Sequence, residues 1–130
     1  QQGKEKSVLI TDTSGTVVLD LTQGAVFYFN TTLTGNLTLN LTNLASILSG
    51  SDTNLKTLTL TVITKVGATS YYPSAIQVGG ASQTVKWFNG AIPGPSNILT
   101  NTNVFYTLTI MRTGNLIPAW TIWGSFATFI

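Results

Sequence analysis

The chain has no cysteine and no histidine, and only 8% of its 130 residues are charged. Without cysteine there is no disulfide framework, and the redox compartment is left open. The two absences together remove the usual zinc ligands and the usual base beside a nucleophilic serine or threonine. The acidic side chains are Glu5, Asp12, Asp20 and Asp52. Acid–base catalysis by carboxylates needs two of them facing each other across a substrate. Glu5 belongs to a terminal stretch, while Asp12 and Asp52 sit among Ser, Thr, Gly and Asn, where an aspartate shapes a turn. That leaves Asp20 alone. Asp12-Thr13-Ser14 and Ser51-Asp52-Thr53-Asn54 are sparse versions of a calcium loop. The residue types therefore point away from an enzyme, a metal site or a cofactor.

Charge is too thin for a nucleic-acid footprint. The net charge is +2 and the one basic cluster is Lys4 with Lys6, whereas phosphate contacts need grouped Lys or Arg. Hydrophobic residues reach 43%, yet Thr, Asn and Gly interrupt every run before the roughly 20 apolar residues that a membrane-crossing helix needs. A small outer-membrane barrel shares the alternation described below, but several strands are too short for its apolar band and aromatic girdles. The opening Gln-Gln-Gly-Lys-Glu-Lys lacks the apolar segment of a signal peptide and resembles the cut end of something longer. Residues 1–6 are expected to form a flexible tail and residues 7–130 a single domain.

What the chain has in quantity is threonine alternating with aliphatic residues. In Lys56–Val66, Leu58, Leu60 and Val62 share one face while Thr57, Thr59 and Thr61 share the other, the pattern of a strand that covers a core on one side. Residues 37–42 and 104–113 repeat it. Shorter strands are expected at 7–11 and 16–22, joined as a hairpin by Asp12-Thr13-Ser14-Gly15, and at 25–29, 75–78, 83–88, 119–123 and 126–130. Residues 43–50 space apolar side chains by three and four, with Asn43 and Gly50 as caps of one or two helical turns. Gly79-Gly80-Ala81-Ser82 reads as a turn, residues 89–95 as a Pro- and Gly-containing loop, and Thr113-Gly114-Asn115 as a further turn. Turns every ten or so residues between short strands predict an all-β fold, an antiparallel β-sandwich of jelly-roll-like form.

The aromatics are the candidate binding groups. Tyr71-Tyr72, Trp87-Phe88, Trp120 and Trp123 offer flat faces to sugar rings, with Asn and Thr nearby to hydrogen-bond. Trp87 and Trp120 lie within alternating strands and read first as core. Tyr71, Tyr72, Trp87 and Asn89 are the candidate ligand-binding residues. Asn30, Asn36 and Asn40 fit the glycosylation triplet, which a chain so rich in Thr and Asn produces by chance. A sheet this poor in charge also lacks the Lys and Glu that keep strand edges and apolar faces from pairing with neighbours, so sister copies are expected to cover them. A homotrimer is the expected closed form.

From Thr22 onward the chain resembles a β-rich module of virion structural proteins of tailed bacteriophages, marine and cyanobacterial ones in particular, found in tail fibres and related appendages. The resemblance rests on Gln23-Gly24-Ala25-Val26-Phe27, Tyr71-Tyr72-Pro73-Ser74-Ala75, residues 85–93, residues 103–109 and Trp120-Thr121-Ile122-Trp123-Gly124-Ser125. Asn103 stands where such modules often carry an acid. The resemblance implies a compact, commonly trimeric sandwich on the outside of the particle, in an appendage or on the capsid surface, touching other virion proteins and in some cases a host surface glycan. It implies structural roles for Trp87, seating its strand in the core, and for Gly90 with Pro93, shaping the loop that follows. Alternatives are a capsid decoration or cement protein and a carbohydrate-binding module of a secreted enzyme.

Overall fold

A computed structural model describes residues 6–48, 56–113 and 119–130. Of the expected tail only Lys6 lies within them, and Gly50, the turn at 51–54 and residues 114–118 lie outside. The chain is mostly β. Its first strands are β1 (Ser7–Ile10), β2 (Gly15–Asp20), β3 (Val26–Phe29), β4 (Leu37–Thr42), β5 (Lys56–Val66) and β6 (Pro73–Val78). After them come β7 (Ala81–Gln83), β8 (Val85–Trp87), β9 (Thr102–Arg112) and β10 (Trp120–Phe129). They make two mixed sheets, β1-β3-β5-β9-β10-β8 and β2-β4-β6-β7.

The antiparallel expectation is corrected. Odd-numbered strands from β1 to β5 join one sheet and even-numbered strands from β2 to β6 join the other, each parallel to the strand two before it. The chain thus coils like a flattened β-solenoid, and a strand of the opposite sheet serves as the crossover that parallel pairing needs. The expected hairpin of β1 with β2 does not form, although both strands do. At its turn Thr34 N donates to Thr13 O (2.9 Å) and Gly15 N to Asn36 O (3.0 Å). Those bonds run to the corner of the next coil, and side chains stack the corners further: Thr13 and Thr34 hydroxyls lie 2.8 Å apart, and Asn36 Oδ1 accepts from Tyr72 N at 3.2 Å. Asn36 and Asn40, which begin two of the glycosylation triplets, thus fasten corners, Asn40 by accepting from Gly80 N at 2.8 Å.

The second half reverts to antiparallel pairing. β9 lies between β5 and β10, in register from Lys56↔Arg112 to Val66↔Thr102 on one side and from Trp120↔Arg112 to Phe129↔Asn103 on the other. β10 runs unbroken through Gly124-Ser125, where two strands were expected. The expected strand at 83–88 is divided instead, ending β7 in one sheet and forming β8 in the other, with Thr84 as the crossing. β6 and β7 form a true hairpin, Val78 facing Ala81. Gly79 and Gly80 both have positive φ (56° and 86°) there, as a two-residue type I′ turn demands.

Both sheets aim their alternating apolar rows at one shared core. Val17, Leu39 and Ile76 form a row in the four-stranded sheet; Leu58, Ile110, Ile122 and Val85 form one in the six-stranded sheet. The two faces expected for β5 are observed, with Leu60 and Val62 buried and Thr57 and Thr59 exposed. Each fully buried Leu or Ile contributes about 1.5–3 kcal/mol. Of the helix expected over residues 43–50, the described residues form one turn, α1 (Leu44–Ile47). Asn43 does not cap it by side chain; its Nδ2 donates to Asp20 Oδ1 at 2.7 Å. The last carbonyls meet Arg112, whose Nη1 donates to Leu48 O at 2.9 Å. No helix among the described residues is long and apolar enough to cross a membrane.

Candidate functional site

β8 is three residues long, and its parallel pairing with β10 decides what stands beside what on the outer surface. Val85, Lys86 and Trp87 face Ile122, Trp123 and Gly124. Trp87 turns inward, where a Cβ on Gly124 would lie 2.7 and 2.9 Å from its ring atoms. Gly124 is the gap that lets the indole lie across β10. The ring then meets Phe126 edge-on at 6.3 Å, and Phe126 meets Tyr106 at 5.9 Å, so an aromatic chain runs into the core. Trp87 is thus partly buried against the core.

The alternation that turns Trp87 in turns Lys86 and Trp123 out. They lead a cross-strand row, Lys86-Trp123-Thr109-Thr59. Beside it runs Ser125-Thr107-Thr61, and Phe88, the residue after β8, stands over the end of that second row. Lys86, Phe88, Thr107, Thr109, Trp123 and Ser125 line a groove of about 290 Å³. Phe88 is 70% exposed and Trp123 39% exposed, a large apolar surface left uncovered. The Thr109 and Thr59 hydroxyls bond to each other at 3.1 Å, which fixes part of the polar floor. A flat indole, a second ring, three hydroxyls and one ammonium make an amphipathic groove suited to a ligand with an apolar face and a hydroxyl rim. No carboxylate lines it.

The expected ligand residues are not brought together. Tyr71 and Tyr72 lie in the segment entering β6, half-buried against the core, with Tyr72 O accepting from Leu37 N at 3.0 Å. Trp87 reaches the groove but packs mainly inward. Asn89 is exposed beside Phe88 with φ 55°, a left-handed residue of the turn Phe88–Gly90. Gly90 (φ 68°) and buried Pro93 shape the following loop, which Asn97 holds by accepting from Gly94 N and donating to Ile92 O, both at 2.8 Å. Lys86, Thr107, Thr109 and Ser125 were missed. The signal for Trp123 was present, since Trp120 and Trp123 are three apart in one strand and so face opposite ways.

Asp20, the one carboxylate without an obvious turn, fastens a corner. Its Oδ1 accepts from the Thr22 hydroxyl (2.6 Å), Asn43 Nδ2 (2.7 Å) and Thr22 N (2.9 Å). The Thr22 hydroxyl first, then Asn43 and the Thr22 amide, hold its carboxyl below the usual aspartate value. That favours an ionised acceptor over a proton donor. In the core, burial pushes the Tyr106 phenol far up, with nearby Thr64 offsetting a little of the rise. Neither Tyr106 Oη nor Thr64 Oγ1 has a partner at full hydrogen-bond geometry. Among the described residues no three acids gather as a metal cluster would require.

No family model, curated protein or solved structure matches this chain.

Proposed function

We propose that this chain is a non-enzymatic module of a bacteriophage virion, carried on a tail fibre or other exterior appendage, whose outer groove receives a ring of a host surface glycan. In this reading the two sheets are the layers of a sandwich that assembles as a homotrimer beside other virion proteins. The observation that supports it is the groove itself. The exposed indole of Trp123 lies between Lys86 and a double row of Thr and Ser hydroxyls, with Phe88 at its rim. An indole face stacks on the C–H face of a pyranose, and hydroxyls in register take up its rim. The phage setting rests on the sequence resemblance.

A glycan array followed by titration of the best ligand tests the reading. Trp123→Ala is expected to weaken binding about tenfold or more, which is about 1.4 kcal/mol, and Phe88→Ala less. Tyr72→Ala is expected to leave affinity unchanged. Loss with Tyr72→Ala and none with Trp123→Ala would move the site to the tyrosines. Absence of binding to any glycan would favour a capsid decoration or cement role, which the apolar remainder of the same outer face also suits.

A further inference from the structure

Five strands of the six-stranded sheet each place one side chain on a single outward row. Leu9 faces Tyr28, Tyr28 faces Ile63, Ile63 faces Phe105 and Phe105 faces Ala127. Phe129, on the neighbouring outward row with Asn103 and Lys65, leans its ring to 4.6 Å from that of Phe105. Leu9 is 59% exposed, Phe129 53% and Tyr28 39%. At 150–250 Å² per aromatic side chain, Tyr28 and Phe129 alone leave roughly 140–230 Å² of ring uncovered. The band carries no charge, and along the outward positions of this sheet the charged residues are Lys65 and Lys86.

We infer that this band is the surface on which copies of this chain meet, band against band around the symmetry axis of the assembly. The inference rests on the self-association in the proposed function and not on the glycan reading. Two observations choose a sister copy as the occupant. Identical uncharged rows packed round one axis bury no ion, so self-contact carries no desolvation penalty of the kind that one unpaired charge would impose. An acidic partner would find two lysines on this face, Lys65 beside the band and Lys86 beside the groove, too few to draw it there. Size sets the reach of the contact: five strands about 4.8 Å apart, taken about five residues deep at 3.3 Å each, give a flat footprint of roughly 400 Å² before side-chain relief, so an interface of standard size takes in neighbouring outward residues as well. The low end of stable interfaces takes about 600 Å² of accessible surface per partner.

Position keeps the two surfaces apart. Trp123 pairs with Thr109, four residues along β9 from Phe105, or roughly 13 Å at strand rise. A contact centred on the band leaves the groove at its margin, open to a ligand.

The chain's lack of cysteine makes the test clean. Tyr28→Cys carries the band's only thiol and Val18→Cys the only thiol on the opposite sheet's outer face. Each is treated with a bismaleimide, while light scattering follows wild type, Leu9→Lys, Tyr28→Lys and Val18→Lys, with thermal melts confirming that each variant is folded. Expected are an assembled wild type, crosslinking of Tyr28→Cys but not Val18→Cys, and a shift toward monomer for Leu9→Lys and Tyr28→Lys but not Val18→Lys. An assembled wild type whose Leu9→Lys and Tyr28→Lys forms stay assembled, or whose Tyr28→Cys form crosslinks no better than Val18→Cys, overturns the surface and leaves self-association standing. A wild type that stays monomeric at high concentration overturns both.

Discussion

The two sheets share one core but show water different faces. Outward positions of the four-stranded sheet carry Thr16, Val18, Asp20, Thr38, Asn40, Thr42 and Gln77. Those of the six-stranded sheet include Leu9, Tyr28, Ile63, Phe105, Trp123 and Phe129. Inward rows of both are apolar, aliphatic on the four-stranded side and mixed with Phe27, Phe29, Tyr106 and Phe126 on the other, so the need for an apolar core does not explain the outward contrast. On the four-stranded side several outward polar groups have work within the chain. Asn40 Oδ1 accepts from Gly80 N at 2.8 Å, and Asp20 holds Thr22 and Asn43. Val18, 56% exposed, is its lone large apolar side chain, and single exposed valines are ordinary. On the six-stranded face Leu9, Tyr28, Ile63 and Phe105 are contiguous, Trp123 stands apart from them, and in the proposed reading both surfaces meet something outside the chain.

The sharpest way to separate the faces is Gly124→Ala. A methyl there would press on the Trp87 ring at 2.7 and 2.9 Å and on Val85 at 3.0 Å. Overpacking of this kind costs about 1–3 kcal/mol. The strain falls on β8, which holds Lys86 and Phe88 in the groove. The expected result is a lower melting temperature, faster amide exchange in β8 and a loss of glycan affinity matching Trp123→Ala, with β2, β4 and β6 unchanged. Uniform loss of protection in both sheets would mean that the groove is not a separable part of the fold.

A smaller effect of opposite sign is expected where the faces share support. Thr64 and Tyr106 are buried at 0% and 1% exposure with hydroxyls lacking good partners. Replacing two such groups together by apolar ones of similar shape is neutral to stabilising, because the desolvation of each had little return. Thr64→Val with Tyr106→Phe is expected to leave stability unchanged or raise it by up to about 1 kcal/mol in denaturant titration. A clear destabilisation would show that the two hydroxyls bond to each other in solution.

Strand faces were legible because alternation is local: Leu60 and Val62 against Thr59 and Thr61 needs only neighbouring residues. Strand partners were not. Asp12-Thr13-Ser14-Gly15 has the composition of a hairpin turn, and nothing within those residues says that their hydrogen bonds go to Thr34 and Asn36 in the next coil. Parallel pairing is decided by contacts at long sequence separation, and so is the groove, where Lys86 and Trp123 lie 37 positions apart (123 − 86) yet side by side. Thr84 moves the chain between sheets without a Gly or Pro to mark it. Ile63 was a visible clue, since it interrupts an otherwise polar outward row of Thr57, Thr59 and Thr61. Its meaning appears only when Tyr28 and Phe105 are found on either side of it.

The least effect is expected on the polar face, at Asp20, and it is distinguished by its pH dependence. The hydrogen bonds from Thr22 and Asn43 lower its folded pKa from the ordinary 3.8. A group depressed on folding contributes stability that is fully present above its unfolded value and is lost as pH falls through the folded one. Asp20→Asn keeps an acceptor but no charge and does not titrate. Melting temperatures of wild type and variant, measured between about pH 2 and 7, should therefore differ slightly at neutral pH and converge below about pH 3.8. Because the other carboxylates are common to both chains, their contributions cancel in the difference. A difference that stays constant across the acid range would mean that the ionised carboxylate does not hold the corner of β2, and that the polar outer face is no more committed to internal bonding than the aromatic one.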